Sequence, residues 1–155
     1  MEKFIIEPLK GFGEIPFGMS LDVAVKLLGS PNYYEELSDI EETGNRSISY
    51  DYDDLDTTII FEGITKSVVA YFETENHDSI LYGNKVFELN RAEVKELMRE
   101  NGFSKLEEEE EDGEHRISFE KAMIDFFFNG DELHAVTWGV LVDDQGNIIE
   151  IGDEK

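Results

Sequence analysis

Gly18-Met19-Ser20-Leu21-Asp22-Val23-Ala24-Val25-Lys26-Leu27-Leu28-Gly29-Ser30-Pro31 is the stretch on which the reading of the fold turns. Leu21, Ala24, Val25 and Leu28 recur at the spacing of one helix face. Ser20 can accept a hydrogen bond from the unpaired amides of the first turn, Gly29 suits the stop, and Pro31 prevents continuation. A second passage has the same logic. Phe87-Glu88-Leu89-Asn90 opens a helix in which Asn90 caps, Glu93 completes a capping box, and Leu89 with Val94 forms a hydrophobic staple. Its apolar face is Val94, Leu97 and Met98, and it ends near Asn101-Gly102.

Strand patterns repeat with the helices. Ile48-Ser49-Tyr50-Asp51 matches Ile117-Ser118-Phe119-Glu120, and Phe61-Glu62-Gly63 matches Phe128-Asn129-Gly130. The offsets (Ser20 to Asn90, Ile48 to Ile117, Phe61 to Phe128) are 70, 69 and 67 residues. Same-order matches with small drift indicate an internal repeat. Strands are expected over 58–62, 67–73, 123–128 and 133–138. The expected fold class is therefore α+β: two tandem helix-then-three-strand units forming an antiparallel sheet with the helices on one face. The whole chain, 1–155, reads as one domain, with units over about 12–73 and 82–139. The polar stretch 74–79 links them, and a hairpin over 140–151 closes the chain.

Composition narrows the chemistry. Among 155 residues there are 13 Lys and Arg against 37 Asp and Glu, a net charge of −24, and no cysteine. Disulfides, thiolate catalysis and cysteine metal sites are excluded. A chain this acidic repels nucleic acid and anionic membranes and favours basic partners. No secretion signal or membrane-spanning run is legible, so a cytoplasmic location is expected.

The Gly-Met-Ser cap followed by Leu28-Gly29-Ser30-Pro31 resembles the helix motif of β-lactamase-inhibitor-protein-like domains. It is also similar to that of the small lipoprotein of the outer-membrane β-barrel assembly machinery. The resemblance implies a tandem repeat that binds other proteins across a concave sheet. Small acidic bacterial proteins of this appearance include immunity proteins, which neutralise toxic enzymes.

Three acidic clusters stand out: Asp39-Ile40-Glu41-Glu42, Asp51-Tyr52-Asp53-Asp54-Leu55-Asp56, and Glu107 to Glu111 with Asp112 and Glu114. The first and third follow the two helices, so they are expected to flank one surface. The glutamate run reads equally as a solvated loop. The middle cluster is not an EF-hand, because Leu55 and Asp56 occupy the positions that need an oxygen ligand and a glycine. His77, His115 and His134 have no metal-ligand spacing, and His134 alternates with Val136 and Trp138, which suggests a shared face. No G-x-S-x-G elbow or phosphate loop is present. No cofactor, metal or catalytic residue is assigned.

The expected function is non-enzymatic. An inhibitor or immunity-type protein would occlude a basic partner enzyme, such as a toxin nuclease, with Tyr50, Asp51, Tyr52, Asp53, Asp54, Asp56, Phe127 and Trp138 on its binding surface. The alternative is a small-ligand or structural module with an ordinary acidic surface. Oligomeric state and the open sheet face are not fixed by these patterns.

Overall fold

The computed structural model describes residues 4–38 and 46–150. Strands β1 (Ile5–Glu7), β2 (Gly11–Phe12) and β3 (Ile15–Pro16) precede helix α1 (Leu21–Leu28). Then come β4 (Tyr33–Ser38), β5 (Ser47–Tyr52), β6 (Thr57–Glu62) and β7 (Val68–Thr74). Short strands β8 (Ile80–Leu81) and β9 (Asn84–Lys85) lead to helix α2 (Arg91–Glu100). It is followed by β10 (Glu107–Glu111), β11 (Glu114–Phe119), β12 (Ile124–Asn129) and β13 (Glu132–Gly139). β14 (Leu141–Val142) and β15 (Ile148–Ile149) form a closing hairpin, and residue 151 of the expected hairpin lies outside the described residues.

The α+β expectation of two helix-then-three-strand units with helices covering the sheet is overturned. The protein is mainly β, with fifteen strands and two α-helices among the described residues. An antiparallel eight-stranded sheet has the order β10-β11-β12-β13-β7-β6-β5-β4, and a separate five-stranded sheet the order β3-β2-β1-β8-β9. Each helix is followed by four strands, not three. The additional strands, β4 and β10, are the sheet's two outer edges. Edge strands can be wetted on both faces, so neither carries the alternation by which a half-buried strand is recognised.

The helices are also a smaller part of the cover than expected. The Ser20 hydroxyl accepts from the Val23 amide and the Asn90–Glu93 capping box is complete, yet α1 buries only Ala24, and α2 buries Val94 and Met98. Much of the cover comes from the small sheet, whose Ile6, Phe12, Ile15 and Leu81 are all buried. The Phe12 ring packs 5.6 Å from Phe72 and 5.0 Å from Trp138.

The halves of the large sheet meet where β7 pairs with β13, in the register Thr74 with Val136, Glu73 with Thr137, Phe72 with Trp138 and Tyr71 with Gly139. Side chains alternate faces along each strand. Phe72 and Trp138 stack at 5.2 Å on the inner face, with Ile59, Phe61, Phe126 and Phe128 beside them in the core. The Trp138 indole N–H donates to the Gly11 carbonyl at 3.0 Å, tying the small sheet to the junction. The stretch 74–79 is more than a linker: Thr74 and Ser79 are fully buried, and the His77 ring stacks 4.9 Å from Phe87. Trp138→Ala should destabilise the fold by about 3–5 kcal/mol, read as a lower urea midpoint.

Candidate binding surface on the open sheet face

Because Phe72 and Trp138 point inward, their neighbours Glu73 and Thr137 point to the opposite face. The register carries that parity across the sheet. Asp51, Thr58, Glu73, Thr137, Asp125, Ser118 and Glu107 lie in one row, one residue per strand from β5 to β10. Carboxylate and hydroxyl alternate along it, so successive carboxylates stand two strands, or about 10 Å, apart. On the Gly139 side of this row Ile60 pairs with Tyr71, and on its other side Phe127 pairs with Ala135. Ile60, Tyr71 and Phe127 are half-buried and lie outside the hydrophobic core.

Gly139 sets the position of Tyr71. A Cβ there would lie 2.1 Å from the Tyr71 Cδ1 and 2.7 Å from the Ala70 carbonyl oxygen, so only glycine lets the ring lie over β13. The Tyr71 hydroxyl donates to Thr137 Oγ1 at 3.1 Å. Burial pushes the Tyr71 phenol up from its ordinary value, and the Thr137 hydrogen bond opposes that shift.

The acidic row runs into a recess of about 290 Å³ lined by Asp51, Tyr52, Asp53, Asp56, Thr57, Thr58, Glu73 and Glu75. Its wall is the β5–β6 turn, a 3-10 turn over Asp53–Leu55 closed by Asp56 at φ 48°. The turn is fixed from beneath. Thr57 and Thr74 share a buried hydroxyl hydrogen bond of 2.9 Å, and the Asn76 side-chain amide donates to the Leu55 carbonyl at 3.0 Å. The Asp53 amide donates to Asn32 Oδ1 at 2.8 Å, while Asp51 Oδ1 accepts from Thr58 Oγ1 at 2.8 Å. Five carboxylates thus surround the recess, and among the described residues no Lys or Arg lines it. Desolvation, then the charges of Glu75 and Asp51, push the Glu73 carboxyl above its usual range; His134 opposes them. Among the described residues, no group of three His, Asp or Glu side chains is placed to hold a metal ion.

The residues expected to bind a partner divide between the faces. Asp51 and Phe127 are on the open face, and Asp53, Asp54 and Asp56 are exposed on its rim. Trp138 is 0% exposed and Tyr52 5%, so both belong to the inner side, where the Tyr52 hydroxyl donates to the Gly29 carbonyl. Tyr50 packs inward on Phe61 at 5.2 Å. The reading missed Glu73, Glu75, Tyr71 and Ile60. Their alternation was legible, but their convergence with Asp51 needs the β5–β6–β7 register. A β-bulge on β12–β13 turns His134 away from Val136 and Trp138. It instead contacts Glu114 Oε2 at 2.7 Å and lies 6.4 Å from Phe127, on the open face.

Of the two acidic clusters expected to flank one surface, the described one does not reach this recess. Asp39 to Glu42 lie outside the described residues, and Glu107–Glu111 is strand β10 rather than a loop. β10 is at the far edge from β4, seven strand spacings or about 34 Å away. Among the described residues, no helix is long and apolar enough to cross a membrane. No family model, curated protein or solved structure matches the chain.

Since the folded state raises the Glu73 pKa, it favours the protonated carboxyl. Glu73 therefore adds stability below its unfolded value near 4.5, and this is lost as pH rises through the folded value. Glu73→Gln should raise the urea midpoint at neutral pH relative to the parent. The gain should shrink on acidification and vanish once both states of Glu73 are protonated.

Proposed function

We propose that the chain is a non-enzymatic, cytoplasmic protein-binding module, of inhibitor or immunity type, that docks a basic protein on the open sheet face. The observation that carries this reading is the recess of five carboxylates with no lining cation among the described residues, on a face that also carries the half-buried Ile60 and Tyr71 on one side of the acidic row and Phe127 on the other. The Glu73 carboxyl is pushed above its usual range by burial first and then by the like charges of Glu75 and Asp51. A Lys or Arg side chain entering the recess relieves that repulsion. Apolar area beside it supplies the burial that isolated surface ion pairs lack, since exposed pairs contribute only about 0–1 kcal/mol.

The division of labour follows from range. The net charge of −24 acts at a distance and accelerates encounter with a cationic partner. The half-buried apolar side chains and the recess act at contact, where water is excluded and each ion pair strengthens. A rigid sheet loses little conformational freedom on docking. The partner's basic surface would be covered, which for a toxin enzyme acting on an anionic substrate is sufficient for inhibition.

Affinity capture from host lysate at low salt, followed by elution along a salt gradient, tests the reading. A single basic protein released steeply with salt is the expected result. Combining Asp51→Lys, Asp53→Lys and Glu73→Lys should weaken that complex by more than about tenfold, or about 1.4 kcal/mol, with the circular dichroism of the fold retained. Unchanged affinity with flat salt dependence would exclude the recess as the contact.

A further inference from the structure

The eight-stranded sheet ends in two unlike edges. On β10 all five residues are glutamate, and three of them contact a cationic or imidazole group of their own sheet or helix. Glu108 is bound by Lys95 and His115, Glu109 by Arg116, and Glu110 lies 3.9 Å from His115. That edge offers an incoming strand charge but no apolar side chain. β4 reads Tyr33-Tyr34-Glu35-Glu36-Leu37-Ser38, pairs among the described residues only with β5, and exposes Tyr33, Tyr34 and Leu37 by 57%, 68% and 49%. An edge of this kind presents alternate unpaired backbone donors and acceptors to any extended chain.

The ladder tells which groups are free. The Gly63 amide donates to the Arg46 carbonyl, which in this register directs the polar groups of Ile48 and Tyr50 toward β6 and those of Ser49 and Asp51 toward β4. Tyr33 and Glu35, opposite Asp51 and Ser49, therefore pair inward, while the amides and carbonyls of Tyr34 and Glu36 face outward. A second copy of the chain is a poor occupant. An antiparallel self-pair that joins these outward groups would oppose Glu35 or Glu36 to its own copy and bring together two chains of −24.

We infer that β4 is a strand-addition edge that accepts an extended, basic segment of the partner, with Lys or Arg alternating with apolar residues, as a ninth strand. Main-chain hydrogen bonds to Tyr34 and Glu36 would hold it; Glu36 is itself paired with Arg46, so Glu35 would select its cations on one face while Tyr34 covers its apolar side chains on the other. The inference rests on the reading of a basic partner but assigns a separate contact, beside the recess rather than in it.

The probe is a short synthetic peptide alternating Lys and Val, set against the same sequence with N-methylated valines, which keeps the charge but cannot pair as a strand. Amide exchange and chemical shifts are followed on the isotope-labelled full chain. The expected result is binding that slows exchange at Tyr34 and Glu36 by about tenfold or more, with the N-methylated peptide bound at least about tenfold more weakly. Glu36→Pro, which deletes one outward donor at an edge where proline is tolerated, should weaken binding more than Glu36→Ala. Equal binding of the two peptides, or responses on β10, overturns the inference. Responses confined to Asp51, Glu73 and Phe127 overturn it too, while leaving the open-face reading intact. Silence at both places sinks both.

Discussion

The stack of Phe72 on Trp138, closed by the indole hydrogen bond to Gly11, is the interaction on which the remaining structure depends. It lies where β7 meets β13, so it joins the halves of the large sheet and seats the small sheet in one place. Trp138 needs an apolar setting for its rings and an acceptor for its N–H, and the junction supplies both. With Phe72 and Trp138 fixed inward, Glu73 and Thr137 have no choice of face. The polarity of the open side is thus a consequence of the core, propagated strand by strand through the ladder.

That propagation leaves an uneven surface. The ion pairs Arg91–Asp131, Lys95–Glu108, Arg99–Glu96 and Arg116–Glu109 cluster around α2 and β10–β12. They hold the Glu96 and Glu108 carboxyls below the usual range, chiefly through hydrogen bonds from Arg99 and Lys95. Beside the β5–β6 turn the Glu73 carboxyl is instead pushed above its usual range, by burial first and then by the charges of Glu75 and Asp51, with His134 opposing them. Most of the described ion pairs thus stand at one end of the sheet, with the Arg46–Glu36 pair at the other.

Local physics was legible in the sequence where one residue suffices to state it. Ser20 and Asn90 could be read as caps because capping is satisfied within four residues, and the alternation of Ile124, Phe126 and Phe128 marks a two-sided strand. The architecture was not, because it depends on partners far along the chain. Tyr33–Ser38 and Glu107–Glu111 are strands only because β5 and β11 lie alongside them, and their composition carries no trace of that. β1 to β3 are too short for a period to show. Trp138 looked like a contact residue because aromatic character does not reveal its face. Asp51 and Phe127 could be placed on the open side only once the register was known, and His134 needed a bulge that no local pattern announces.

The indole bond spans 127 positions along the chain. During synthesis, Phe12 and the small sheet emerge early, yet the aromatic surface they cover is completed only when β13 leaves the ribosome. Until then Phe72 lacks its stacking partner and β7 presents an unpaired edge to solvent. Sheets closed by contacts so remote in sequence form slowly, since the entropy of loop closure is lost before the contact is gained. The feature that makes the finished sheet continuous therefore also sets the moment of greatest vulnerability to wrong pairing. The uniform negative charge, which keeps nascent chains apart, acts at that moment as a safeguard of assembly.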